Sequence, residues 1–163
     1  MGSGGIMERK REQVVHSRLG TLRVDPGMVL RFPRGLIGFE QLRDFVLVDF
    51  KPGTPFRFLQ SLEEPEVGFL VTDPFAFLHH YEVYVGAAEE KLLRLRSVRD
   101  MAVLVVVTVP KGHPEEASLN LLGPLCLNVC ERIGLQVPQS HVPSGKVLLR
   151  ECGPGLVAAQ GGG

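Results

Sequence analysis

Met101-Ala102-Val103-Leu104-Val105-Val106-Val107-Thr108-Val109 is the stretch on which the fold turns. Val103, Val105, Val106, Val107 and Val109 are β-branched. Such side chains lose χ1 freedom in a helix and pack well on a pleated surface, so the run reads as a strand. Working outward, shorter segments read the same way. Residues 14–16 and 21–24 flank Gly20 as a hairpin. Residues 28–32 alternate apolar and polar and stop at Pro33, which cannot donate to a ladder. Residues 45–50, 56–62 and 67–72 follow, then 81–85, and beyond the valine run 117–122, 124–129 and 146–150. Strands at intervals of roughly 8–12 residues with turn residues between them predict a sandwich or barrel. One helix is expected near 87–95: Ala88, Leu92 and Leu95 fall at i, i+4 and i+7. Glu89 and Glu90 come early and Lys91, Arg94 and Arg96 late, the order that suits the helix dipole. A shorter helical turn is expected at 39–43.

At 163 residues, with 44% hydrophobic and 22% charged side chains, the chain has ordinary globular composition. A compact fold of this length buries roughly 68–70% of the surface its unfolded chain exposes, so one core holds it without disulfide or metal. Cys126, Cys130 and Cys152 form an odd set without a CxxC pair, the pattern of a reducing compartment such as the cytoplasm. No run of 18 apolar residues exists to span a membrane as a helix. Residues 1–6 are expected to be an expression scar, with Met7 as the native start, residues 7–152 the domain, and the glycine-rich residues 153–163 a flexible tail.

The signatures of catalysis are missing. There is no GxxxxGK[ST] phosphate loop, no GxGxxG after a strand, and no GxSxG, since Ser144-Gly145 lacks the preceding glycine. His79 and His80 would point to opposite faces of a strand, so neither a metal nor another cofactor is implied there. Cys126 and Cys130, four apart, would lie roughly 13 Å from one another on a regular strand. A site assembled from distant residues, such as Cys126 with a histidine, stays open as the alternative of a small enzyme. A structural subunit that self-associates is a third class.

Charge is zero in sum and uneven in sequence. Between Phe58 and Glu90 there is no Lys or Arg, while Glu63, Glu64, Glu66, Asp73, Glu82, Glu89 and Glu90 fall there. A field of one sign attracts an oppositely charged partner and repels nucleic acid locally. Lys91, Arg94, Arg96 and Arg99, and Arg9, Lys10 and Arg11, form basic patches that read as a solvated helix face and chain start. Direct nucleic-acid binding is not expected, because the aromatic residues sit mostly among the acids.

The stretches Phe32–Glu40, Phe58–Pro74 and Val107–Leu125 together resemble segments of the flagellar assembly factor (FliW) family. Phe32-Pro33-Arg34-Gly35-Leu36-Ile37-Gly38-Phe39-Glu40 is similar to its FPxGIxGFE loop. The segment from Phe58 through Gln60-Ser61-Leu62 to Thr72-Asp73-Pro74 is similar to LQSLxDPxLAFLVxDP. Val107-Thr108-Val109-Pro110, then Ala117-Ser118-Leu119-Asn120-Leu121-Leu122-Gly123-Pro124-Leu125, is similar to VTVP…TANLLAPI. The likeness runs in the family's order over about residues 19–135, and Tyr81-Glu82-Val83-Tyr84-Val85 aligns with a YEFDL-like element. The basic segment 91–99 and residues 136–143 depart from the family pattern. Several motif residues also have readings that need no family. Gly35 and Gly38 permit positive φ, letting Leu36, Ile37 and Phe39 cover a barrel end. Asp73-Pro74 ends a strand. Asn120 is either bonded to backbone or on the open face.

The resemblance implies a mostly β fold, a compact antiparallel β-barrel-like single domain with one short helix, and no enzymatic activity. It implies two alternating protein partners. One is the carbon storage regulator, a dimeric RNA-binding repressor of flagellin translation, antagonised allosterically from outside its RNA-contacting surface; the other is flagellin. The free chain is expected to be monomeric. The expected contact residues are Glu82 and Tyr84, on the open face of residues 81–85 opposite Tyr81, Val83 and Val85, with Glu63, Glu64 and Glu66 as rim charges and Asn120 beside them.

Overall fold

The computed structural model describes residues 13–17, 19–142 and 145–152, so the expected scar and tail lie outside the described residues. Strands β1 (Gln13–Ser17) and β2 (Gly20–Val24) form a hairpin of their own. The other strands are β3 (Val29–Arg31), β4 (Asp44–Asp49), β5 (Phe56–Ser61), β6 (Gly68–Thr72), β7 (Met101–Thr108), β8 (Ser118–Asn120), β9 (Leu125–Asn128), β10 (Ile133–Gln136) and β11 (Lys146–Leu148). They join in one sheet ordered β11-β8-β7-β6-β5-β4-β3-β10-β9. A further β7–β9 pairing closes seven of them into a barrel, with β8 and β11 running off as a flap. All pairings are antiparallel except the single β3–β10 contact, Ile133 beside Arg31.

Strand β7, the valine run, sits at the junction. On one edge Val105 and Val106 pair with Thr72 and Val71 of β6. On the other, Met101 through Leu104 pair with β9, and Val107 and Thr108 pair with β8. Both faces are covered. Ala102, Leu104 and Val106 face a barrel interior built on Phe32, Phe45, Leu59, Val71, Leu125 and Leu127. Val103, Val105 and Val107 face an outer layer with Phe77, Tyr81, Leu119, Leu121 and Cys152. A strand buried on both faces needs apolar residues without alternation, which accounts for the composition of the run. Each fully buried Phe or Leu contributes about 1.5–3 kcal/mol of burial free energy.

A third cluster, Leu93, Cys126, Leu135 and Val137, lies by the one α-helix among the described residues, α1 (Ala87–Leu92). Its position matches expectation, but its buried contact does not. Ala88 is exposed and Leu92 is 37% exposed, whereas Leu93, the residue that ends the helix, is fully buried. The helix is too short for an i, i+4, i+7 stripe, so the core contact is made where it stops. Arg94 then takes a φ of 56°, which turns the chain away.

Three further expectations are corrected. Residues 39–43 form a turn, closed by the Leu42 N–H donating to Phe39 O at 3.1 Å, not a helical segment. Residues 149–151 leave β11 as a 3-10 turn. Strand β10 is additional: its Gly134 hides it from propensity. A Cβ at Gly134 would stand 2.5 Å from the Phe32 ring, so the glycine lets that ring lie against the strand.

In the Phe32–Glu40 loop, Leu36 and Phe39 pack on the barrel interior, and Phe39 meets Phe69 edge to face at 5.3 Å. Ile37 was expected to join them; it is 62% exposed. Its N–H is held by Gln136 Oε1 at 2.8 Å. Gly35 and Gly38 have φ of 65° and 90°. A Cβ at Gly38 meets nothing within 4 Å, but one at Gly35 would lie 2.6 Å from Phe39 O and 2.7 Å from Glu40 Cα. Gly38→Ala should therefore cost about 1–2 kcal/mol, from φ alone. Gly35→Ala should add an overpacking cost of about 1–3 kcal/mol. Urea unfolding of both variants checks the order; equal losses would contradict it.

Candidate interaction surface

The segment after β6 begins at Asp73, whose carboxylate accepts the Phe75 N–H at 2.9 Å and caps a 3-10 turn, Pro74–Ala76. The chain then runs extended across the outer layer. The Tyr81 ring is buried there and its hydroxyl donates to Leu121 O at 2.6 Å. Burial pushes its pKa up to about 12, so it stays a protonated donor. The strand expected at 81–85 is absent, and its absence has a specific cause. Gln139 Oε1 accepts the Tyr84 N–H at 2.8 Å, and its Nε2 donates to Tyr84 O and to Val137 O, both at 3.0 Å. A buried side-chain amide thus takes the place of a neighbouring strand. The sidedness expected of 81–85 survives: Tyr81 is buried, Val83 and Val85 are half-buried, and Glu82 and Tyr84 are exposed.

Glu82 and Tyr84 are brought together. The Tyr84 hydroxyl donates to Glu82 Oε2 at 2.6 Å, and this bond to a carboxylate is the main cause raising the Tyr84 pKa. The His141 ring meets the Tyr84 ring edge to face, centroids 4.5 Å apart. His141 Nε2 lies 2.8 Å from Glu82 O; a carbonyl only accepts, so this nitrogen carries the proton. His141 and Gln139 were not among the expected contact residues. Both come from the stretch that departs from the family pattern, about 55 residues along the chain, and no local spacing links them to Glu82.

The remaining expected residues are placed differently. Glu63 is tied down: the Arg43 and Asp44 N–H groups donate to its Oε1 at 2.6 and 2.9 Å. These bonds, Asp44's first, hold its pKa below the ordinary carboxylate value. Ser61 Oγ accepts the Glu63 and Glu64 N–H groups, shaping the β5–β6 turn on which Glu64 and Glu66 are exposed. Asp73 lies at the far end of β6, roughly 17 Å of strand away. Glu89 pairs with Arg34 at 3.4 Å. The seven acids therefore do not form one continuous patch. Asn120 is half-buried and its Oδ1 accepts the Leu122 N–H at 3.1 Å, the backbone-bonded choice of the two expected. It precedes Leu121, which receives the Tyr81 hydroxyl.

The two buried cysteines are not set up as nucleophiles. Cys126 is buried and burial pushes its thiol up to about 12; Cys152 is buried and raised as well. A thiol so protonated at neutral pH is a poor nucleophile. Among the described residues no histidine hydrogen-bonds a cysteine. The one group of potential metal ligands among them, His113, Glu115 and Glu116, is exposed and does not include His79 or His80. No helix of the described residues is long and apolar enough to cross a membrane.

The fold is thus a closed β-barrel whose outer layer fixes a carboxylate, a phenol and an imidazole side by side on an open face. The FliW protein family model matches residues 13–147. The flagellar assembly factor FliW of Nitratidesulfovibrio vulgaris is 47% identical over 134 residues, 82% of this chain and 78% of that protein. That of Desulfovibrio desulfuricans is 49% identical over 135 residues, covering 82% and 81%. A crystal structure of the flagellar assembly factor FliW superposes with a TM-score of 0.77 at 28% identity, covering 84% of this chain and 96% of that one. The chain belongs to the FliW family of flagellar assembly factors.

Glu63 gives a pH test. Its folded pKa is depressed, so its contribution is fully present above the ordinary value of 4.5 and lost as pH falls through the lower folded value. Glu63→Ala should cost about 1 kcal/mol at pH 7, as for a lost cap. Unfolding curves of variant and wild type should converge as pH falls below 4.5 and through the lower folded value. A gap that persists at low pH would contradict the carboxylate's role.

Proposed function

We propose that this chain is a non-enzymatic, cytoplasmic regulator that binds the carbon storage regulator and flagellin in turn, coupling flagellin translation to filament assembly. The likeness to flagellar assembly factors over most of the chain supports the general role. The observation that carries the contact reading is the Glu82–Tyr84–His141 face, where a carboxylate is held outward by a 2.6 Å hydrogen bond and its backbone by another at 2.8 Å. A protein that binds RNA must carry positive charge. Glu82, with Glu64 and Glu66 exposed elsewhere on the chain, offers it the opposite sign.

Side chains already held in their bound geometry lose less entropy on association. A desolvated Glu paired with Arg costs about 2–5 kcal/mol when truncated, partly from the stranded partner charge. Glu82→Ala should therefore weaken regulator binding at least about tenfold in calorimetric titration, and Glu64→Ala less. Unchanged affinity in the folded Glu82→Ala protein would remove this face from the site. The association rate should also fall as salt rises, since the Debye length is already about 8 Å at 0.15 M. A rate independent of salt would remove the acids from steering.

A further inference from the structure

Next to Glu82 the outer layer opens into a cleft of ≈ 550 Å³ walled by Leu78, Tyr81, Leu121, Val142 and Val147, with His80, Glu82 and His141 as its polar members. Its walls come from three separate parts of the chain that are tied together. The Tyr81 hydroxyl holds Leu121 O, His141 holds Glu82 O, and Val147 pairs with Leu119 in the β11–β8 ladder. The cleft is therefore built before any partner arrives. An apolar recess of this kind takes an aliphatic side chain, and the polar members fix what stands beside it.

Glu82 sets that neighbour. Tyr84 occupies Oε2, and among the described residues no cation stands within ion-pair distance of the carboxylate. Tyr84 is 59% exposed beside it, with His141 packed on the ring edge to face. A guanidinium matches this pair better than an ammonium: it bonds a carboxylate oxygen with a planar fork and stacks on an aromatic face. We propose that the cleft is a socket for a partner-protein segment that inserts a leucine-like side chain between Tyr81, Leu121 and Val147 and lays an arginine on Glu82 and Tyr84. This names the chemistry recognised by the face proposed above, and rests on that reading for the choice of face.

The test uses the full chain, labelled with nitrogen-15, and three peptides: acetyl-Ala-Leu-Ala-Arg-Ala-amide and its forms with Lys or Glu in place of Arg. In an extended peptide the Leu and Arg side chains share one face, about 7 Å apart. Amide shifts should cluster at Tyr81, Glu82, Leu121, Val142 and Val147. The Lys peptide should bind about threefold weaker and the Glu peptide at least about tenfold weaker. Glu82→Gln, at an exposed position that leaves the fold intact, should collapse this ranking while the Leu-dependent shifts remain. No shifts at the cleft, or equal affinity for the Arg and Glu peptides, overturns the socket. Shifts at the same amides on raising the protein's own concentration would make a second copy the occupant and overturn it too. Calorimetry with the carbon storage regulator and with flagellin separates the two proposals. Peptide binding without either protein binding leaves the socket and removes the function, and the converse removes only the socket.

Discussion

Strand β7 has to satisfy three neighbouring strands and two apolar layers at once. Its early residues close the barrel against β9, its middle pairs with β6, and its last two residues carry β8 and, through it, β11. Its alternate side chains fill the barrel interior and the outer layer. Backbone donors and acceptors buried between two layers must find partners, and a closed sheet supplies them without leaving a barrel edge open. Were β7 to slip by one residue, every interior side chain would move to the outer layer and both cores would be lost. The register of the remaining strands follows from that one strand.

The outer layer is where the fold turns into a surface. It is covered partly by an extended segment that does not join the sheet. A side-chain amide does the joining instead: Gln139 clamps Tyr84. In the Phe32–Glu40 loop Gln136 plays a similar part, holding Ile37 while donating to Gly123 O at 3.0 Å. Gln139 is buried with its oxygen and both N–H groups engaged, and Gln136 is half-buried with its oxygen and one N–H engaged, so both act as struts. The result is a fixed segment whose inner residues, Tyr81, Val83 and Val85, belong to the cores while Glu82 and Tyr84 face outward. Function by contact needs this kind of order, since a floppy loop with the same residues would lose more entropy on binding.

Legibility in the sequence divides along the same line. The β class, the position of the helix and the sidedness of residues 81–85 could be read from β-branched runs, turn residues and alternation, which are local signals; those signals leave sandwich and barrel open, and the barrel is implied by the family resemblance. What could not be read depends on distant partners. Tyr84's backbone partner is a glutamine about 55 residues later. Gly134 conceals β10 because its reason is the Phe32 ring. Leu93 enters the core from beyond the helix end, where an i, i+4, i+7 stripe gives no hint. The acids from Glu63 to Glu90 are close in sequence but separated in space, and one of them, Glu63, is engaged by backbone N–H groups of another strand's approach. Sequence clustering of charge is thus a weaker guide to a patch than alternation is to a face.

The central claim is that this protein works through contacts made by the segment after β6 and the flap beside it. Amide hydrogen exchange of the chain, alone and saturated with the carbon storage regulator, tests it most directly. The account predicts slower exchange at residues 80–85 and 145–148 on binding, with β7 unchanged because it is already protected. Protection confined to another surface, such as the apolar cleft bordered by Leu19, Phe50 and Val109, would contradict it.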